Sequence, residues 1–339
     1  MRKSFYWRTI SLTLTATAIF SMSACAQNTH FPEPVAAGIA EPIVNTGNFA
    51  KILSGAKQEL NAADAALDAN LLGKRINGVM KFQRSGQYQL KKILGDKYLL
   101  PAVIIDSDAV PISAGTEFPR IAGNVNQPGK TQNFQTLSIW VQENARAPYQ
   151  LWGQTYLFPD LKIPKLESKL TDTKSILDAA KYVAAPQELV SAYTAYLNSG
   201  TPGTPKFNEA DPIFTQIKSQ REQLTAALGE LAQVETPAIA SEQGFKMVPT
   251  ADGGAILSGA IQYNVIVTRA KENATLRLKG EIGALAAQNG ANPQVDVKTK
   301  LTASYSLLAS FYLPPKNAKS KVVQVIGATA PTLISVTNE

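Results

Sequence analysis

Chemistry in this chain would have to begin from few residues, because its 339 positions hold one cysteine, Cys25, and one histidine, His30. One cysteine forbids an internal disulfide, and one of each leaves a Cys/His zinc cluster short of ligands. A Ser-His-Asp hydrolase would need His30, and no G-x-S-x-G elbow occurs. Gly129-Lys130-Thr131 suggests a phosphate loop, but the first glycine of that motif would fall on Asn124, so a Pro-Gly turn is the better reading. Asp106 and Asp108 with Glu117 could hold a hard cation, yet no loop of alternating oxygen ligands surrounds them, and a solvated turn explains them first. Arg120 and Arg146 near Trp140, Tyr149 and Trp152 could hold an anion or a sugar ring, although aromatic residues alternating on strands are ordinarily core. Asp211 reads as a helix cap. The inventory predicts no catalytic residues, no cofactor and no metal, hence a protein that is not an enzyme.

Cys25 is placed for a different chemistry. Arg2, Lys3 and Arg8 precede an uncharged stretch at 10–22, and small residues follow at Ser23, Ala24 and Ala26. This is the order of a secretory signal, and the stretch is too short for a membrane span, which takes about 20 residues. Met22-Ser23-Ala24-Cys25 resembles the lipobox of bacterial lipoproteins, whose cysteine receives a diacylglyceryl group, although that motif prefers Leu where Met22 stands. Cleavage after Ala26 is the alternative and would discard the cysteine. Lipidation is favoured because the only cysteine falls where a lipobox needs it. Two acyl chains contribute about 0.8 kcal/mol per buried CH2, enough for stable anchoring. Loss of residues 1–24 removes three cations and no acid, taking the net charge from +7 to +4. No dense basic run remains, so nucleic acid is not an expected partner.

The mature chain begins with residues 25–46, a Pro-rich extended tether that contains His30. Apolar residues at Phe49, Ile52, Leu53, Ala56, Leu60, Ala63, Leu67 and Leu71 predict a helix. Residues 76–82, 88–93, 98–105, 117–125, 134–143 and 149–158 are short runs rich in β-branched and aromatic residues between turn residues, and predict strands. Prolines at 159–168 mark a boundary. Helices are predicted from Thr171 or Asp172 to Val183, from Pro186 to a stop at Gly200, and from the cap Asp211-Pro212 along Ile213, Phe214, Ile217, Leu224, Leu228 and Leu231. Residues 245–249, 254–268, 275–282, 294–313 and 321–336 return to strand patterns. Helix then strands, twice over, predicts α+β architecture in two tandem domains, 47–165 and 169–339, each with helices packed on a curved antiparallel sheet.

Glu117-Phe118-Pro119-Arg120, residues 142–152 (QENARAPYQLW), Leu157-Phe158-Pro159, Asp211-Pro212-Ile213-Phe214, Asp252-Gly253-Gly254-Ala255 and Ala309-Ser310-Phe311-Tyr312-Leu313-Pro314-Pro315 together resemble a family of uncharacterised actinobacterial secreted lipoproteins. The resemblance runs from about residue 75 to the C-terminus. It implies envelope localisation and domains of the cystatin and nuclear-transport-factor type, and it implies no activity. The expectation is a non-enzymatic lipoprotein on the outer face of the cell membrane, held by lipid on Cys25, that binds or scaffolds an envelope protein. The alternative is a small-ligand receptor using a cone-shaped cavity, an idea that fails if Trp140, Trp152, Phe311 and Tyr312 fill the cones.

Overall fold

A computed structural model describes Val44 and residues 46–105, 112–114, 117–127, 134–159, 161, 163–167, 171 and 173–339. The signal segment, Cys25, residues 26–43 and 45 of the tether with His30, Asp106, Asp108, Gly129-Lys130-Thr131 and Asp172 lie outside these. Helix α1 (Thr46–Ala66) buries Phe49, Ile52, Leu53, Ala56, Leu60 and Ala63, the predicted stripe. It stops early because Leu67 turns to a positive φ of 51°. Asp68 then caps a short 3-10 turn at Ala69–Leu71 by accepting from Asn70 N–H at 2.9 Å.

Residues 76–82 and 88–93 are not strands. Ile76 makes only an isolated bridge to Leu151, and from residue 78 they belong to one helix, α2 (Gly78–Leu94), whose buried face comprises Val79, Met80, Gln83, Arg84, Gln87, Tyr88 and Leu90. That spacing is helical, but three of its members are polar, so the apolar residues alone do not trace it. Burial is tolerated because the polar groups are paired. Arg84 donates from Nε and Nη2 to the two oxygens of Asp64 on α1 at 3.0 and 2.9 Å, and from Nη1 to Gln87 Oε1 and Pro101 O at 2.8 and 2.9 Å. Tyr88 Oη donates to the same Asp64 at 2.6 Å. The predicted strand at 98–105 is extended but pairs with no other strand. It lies over a sheet face, where Gln154 accepts from Ile104 N–H at 2.9 Å and donates to Ile104 O at 2.7 Å.

Strands β1 (Ile112–Ala114), β2 (Arg120–Asn126), β3 (Thr136–Gln142) and β4 (Gln150–Leu157) follow as an antiparallel meander. Next come α3 (Thr173–Ile176), α4 (Pro186–Ser199) and α5 (Pro212–Leu228), with Gly200 in the left-handed conformation ending α4 as its position predicts. Strands β5 (Ala232–Glu235), β6 (Ala238–Pro249) and β7 (Ala255–Arg269) lead to β8 (Arg277–Lys279), helix α6 (Gly280–Ala287) and β9 (Gln294–Asp296). The strand predicted at 275–282 is thus cut short. Gly280, at φ 73°, turns the chain out of β8, and Ala-rich sequence continues as helix. Strands β10 (Lys300–Leu313), β11 (Gln324–Ala328) and β12 (Thr332–Asn338) complete the chain.

Among the described residues a ten-stranded sheet runs β1-β2-β3-β4-β11-β10-β7-β5, with β12 also on β10 and β6 also on β7. The class is α+β. The predicted boundary at 166–168 does not divide the sheet, because β11 returns to pair with β4 (Gly327 opposite Leu157, Ala328 opposite Tyr156). The described residues from Val44 to Glu339 fall in one compact unit, and Leu137, Ile139 and Leu157 share a buried cluster with Leu257, Ile261 and Leu308. Pairing between strands so far apart in sequence leaves no local trace. Two helical layers cover this sheet. α1 meets it where Phe49 sets its ring edge-on to Trp140, with centroids 5.5 Å apart. α4 meets it where Val190 rests on Gly259, whose hydrogen could not become a methyl without a 2.4 Å clash.

Candidate ligand cleft

The site begins with the cap of α5. Asp211 Oδ1 accepts from Ile213 N–H and Phe214 N–H at 2.9 and 3.3 Å, and Tyr193 Oη donates to Oδ2 at 2.7 Å. Burial raises the Asp211 carboxyl above its ordinary range, against the lowering effect of those three hydrogen bonds. Ile213 and Ile217 then anchor the first turns in the core, and Phe214 stacks on Tyr196 at 4.9 Å.

Beyond Ile217 the predicted apolar stripe weakens. Leu224 and Leu228 are half-buried and Leu231 is 40% exposed. A second stripe runs beside it, Gln216, Ser219, Gln220 and Gln223, with the i, i+3, i+4, i+7 spacing of a single helix face. This polar face forms one wall of a cleft holding about 400 Å³ of water-accessible space. The opposite lining comes from Tyr263 and Tyr305, Glu281 in the first turn of α6, and Pro331 ahead of β12. Tyr263 on β7 lies directly opposite Tyr305 on β10, and their rings stack at 5.1 Å and 9°. Both residues are almost wholly buried.

Burial pushes the Tyr305 phenol up to about 12, with the Glu281 charge adding to it, and pushes Tyr263 higher still, with Tyr305 adding to burial. Both therefore stay protonated donors at neutral pH. Burial also lifts the Glu281 carboxyl above its usual range. Within the wall, Gln223 Nε2 donates to Ser219 Oγ at 3.1 Å. The lining holds amides, hydroxyls, phenols and one carboxylate, and no cation. Such a set can form many neutral hydrogen bonds, but it offers one acid without a second carboxylate to act as its base partner.

The constellations singled out in the sequence are placed elsewhere. Arg120 lies over the Phe118 ring at 4.4 Å, and its Nε is buried without a partner, as is Oη of Tyr149. Arg120 favours ionisation of that phenol electrostatically, while burial outweighs it and raises the Tyr149 value. Arg146 is exposed and is not brought to them. Trp140 is buried and donates to Asn124 Oδ1 at 2.7 Å, and Trp152 is buried with Lys246 Nζ 5.7 Å from its ring centre. Phe311 is fully buried, and half-buried Tyr312 donates to Asp252 at 2.6 Å. Trp140, Trp152 and Phe311 are thus core side chains while Tyr312 is part-exposed, and none of the four lines the cleft beside α5. A smaller cavity between α2 and β4, beside Gln83 and Tyr156, has about 30 Å³, room for about one water. Glu117 is exposed. Among the described residues no group of three or more His, Cys, Asp or Glu could hold a metal ion, and no helix is long and apolar enough to cross a membrane.

Sequence reasoning missed the cleft residues. The one available signal was the glutamine and serine spacing on α5, which a solvated helix face would share. The two tyrosines meet only through the register of β7 and β10. No family model matches the chain, and neither a curated protein nor a solved structure matches it.

Proposed function

We propose that this chain is a cell-envelope lipoprotein, anchored on the outer face of the cell membrane by lipid on Cys25, which acts by non-covalent binding and not by catalysis. Membership of the actinobacterial secreted-lipoprotein family stands as part of this proposal, supported by the quoted motifs. The likeness to cystatin and nuclear-transport-factor units is supported by α1 and α2 beside β2–β4, by α4 on β6, β7 and β10 and by α5 on β5, helices on antiparallel strands.

Of the two binding roles, a small-ligand receptor has the more specific support, and the observation that carries it is the polar cleft beside α5. Its volume lies within the roughly 300–1,000 Å³ of small-molecule sites. Native mass spectrometry of the full-length protein, extracted in detergent from its own membrane, is expected to show a non-covalent small-molecule adduct. A Ser219→Trp variant, with an indole in the cleft, is expected to lose it. Absence of any adduct, joined with reproducible protein crosslinks in vivo, would favour the scaffold role instead.

The anchor is tested separately. Wild type is expected to remain in the membrane pellet after a high-salt wash, since salt screens charge and not acyl burial, whereas Cys25→Ser is expected in the supernatant. A mature N-terminus at Gln27 would show cleavage after Ala26 and end the lipid proposal.

A further inference from the structure

We propose that the cleft beside α5 takes a neutral polyhydroxylated ring molecule, a mono- or disaccharide, an inference that rests on the small-ligand reading above. The lining decides the class by exclusion. An anion would meet Glu281 and no cation anywhere on the walls. A quaternary ammonium ion needs open aromatic faces, but the faces of Tyr263 and Tyr305 are spent on each other and buried in the sheet. A hydrocarbon would strip water from the amides of Gln216 and Gln220, the phenols and the Glu281 carboxylate without replacing its hydrogen bonds. A polyol replaces them. Each sugar hydroxyl both donates and accepts, which matches side-chain amides that present two donors beside an acceptor. The phenol hydroxyls add a pair of polar groups held in fixed register, because β7 and β10 pair at these residues and the rings lock each other. Glu281 supplies an acceptor for vicinal hydroxyls. The lining is thus rigid on the sheet side and adjustable on the glutamine side.

The test is isothermal titration of the full-length protein in detergent with glucose, galactose, mannose and maltose, beside benzoate and benzyltrimethylammonium as charged aromatic probes. Saturable binding of at least one sugar is expected. Gln220→Leu is expected to weaken it about tenfold, and Tyr305→Phe, which keeps the ring stack and removes only the hydroxyl, about fivefold. Both variants should melt within a few degrees of wild type, which separates lost contacts from lost fold. Binding of either charged probe in a Gln220-dependent way, with no sugar bound, would overturn the saccharide class and leave the receptor reading standing. Sugar binding unmoved by both substitutions would overturn this cleft as the site. Silence from every probe would overturn the proposal, and the presence or absence of a native adduct would then decide the receptor reading independently.

Discussion

Two helices, α4 and α2, meet the same sheet by opposite means. α4 packs on β7 and β10 through apolar and aromatic side chains, with Leu189 and Val190 buried and Tyr193 edge-on to Phe311 at 4.8 Å. α2 instead brings polar groups inward. Gln83 reaches Thr329 Oγ1 at 3.1 Å, Gln87 reaches Thr332 Oγ1 at 3.1 Å, and Arg84 is held by Asp64. On the neighbouring strands, Asn126 donates to Thr136 and Ser138, and Gln154 to Ser138 at 2.7 Å. An apolar interface constrains shape and volume but not direction, because burial is non-directional. A polar one requires that each group find its own partner, and leaving one unpaired costs more than the bond contributes.

The sharpest way to break this contrast is by single and paired substitutions followed by urea unfolding. Phe311→Ala should cost about 3–5 kcal/mol through lost burial and a residual cavity. Arg84→Met should cost somewhat less, about 2–3 kcal/mol, for another reason, since it takes the donors away from Asp64, Gln87 Oε1 and Pro101 O while Asp64, 28% exposed, keeps water and Tyr88. The double variant Arg84→Met with Asp64→Leu should recover much of that loss, whereas no polar substitution would rescue Phe311→Ala. Failure of the double variant to recover would mean that Tyr88 and Pro101, which share the network, matter more than the ion pair.

A smaller effect separates two carboxylates by pH. Asp211 has its folded value raised by burial, so the folded state holds its proton more tightly than the unfolded chain does. Its contribution is greatest below the unfolded value of about 3.9 and declines as pH climbs through the folded value. Asp252 is the reverse. Burial would raise it, but hydrogen bonds from Thr250, Tyr312 and Gly254 outweigh burial and lower it, so its contribution is present above the ordinary value and is lost as pH falls through the folded one. Melting temperatures between pH 3 and 7 should therefore decline less towards neutrality in Asp211→Asn than in wild type, because asparagine keeps the cap without the buried charge. An unchanged profile would remove Asp211 from the account.

The smallest expected effect is at Tyr149. Its buried hydroxyl has no partner, so Tyr149→Phe should be neutral or stabilise by up to about 1 kcal/mol. A clear loss in the same unfolding assay would reveal a water bridging this hydroxyl to Arg120.

The contrast also explains which parts were legible. α1, α4 and the start of α5 followed from apolar spacing and from caps at Asp211-Pro212 and Gly200, since each element carries its own signal. The strands at 120–126, 136–142 and 150–157 followed from β-branched and aromatic runs. α2 was misread because Gln83, Arg84 and Gln87 complete its buried face, and a polar residue announces burial only when its partner is known.

By itself the sequence determined α1, α4 and the start of α5, the strands at 120–126, 136–142 and 150–157, the α+β class and the expectation of an export signal with a lipidated cysteine, because these depend on residues close together in the chain. The tertiary structure alone decided that one sheet spans both halves, that Arg84 is an interior residue, and that the glutamines of α5 stand opposite Tyr263, Tyr305 and Glu281. Those outcomes depend on strand pairing across more than a hundred residues of chain, as between Leu157 and Gly327, and on whether a polar group meets its partner. Local composition carries neither piece of information, because both arise only when distant segments are brought into register.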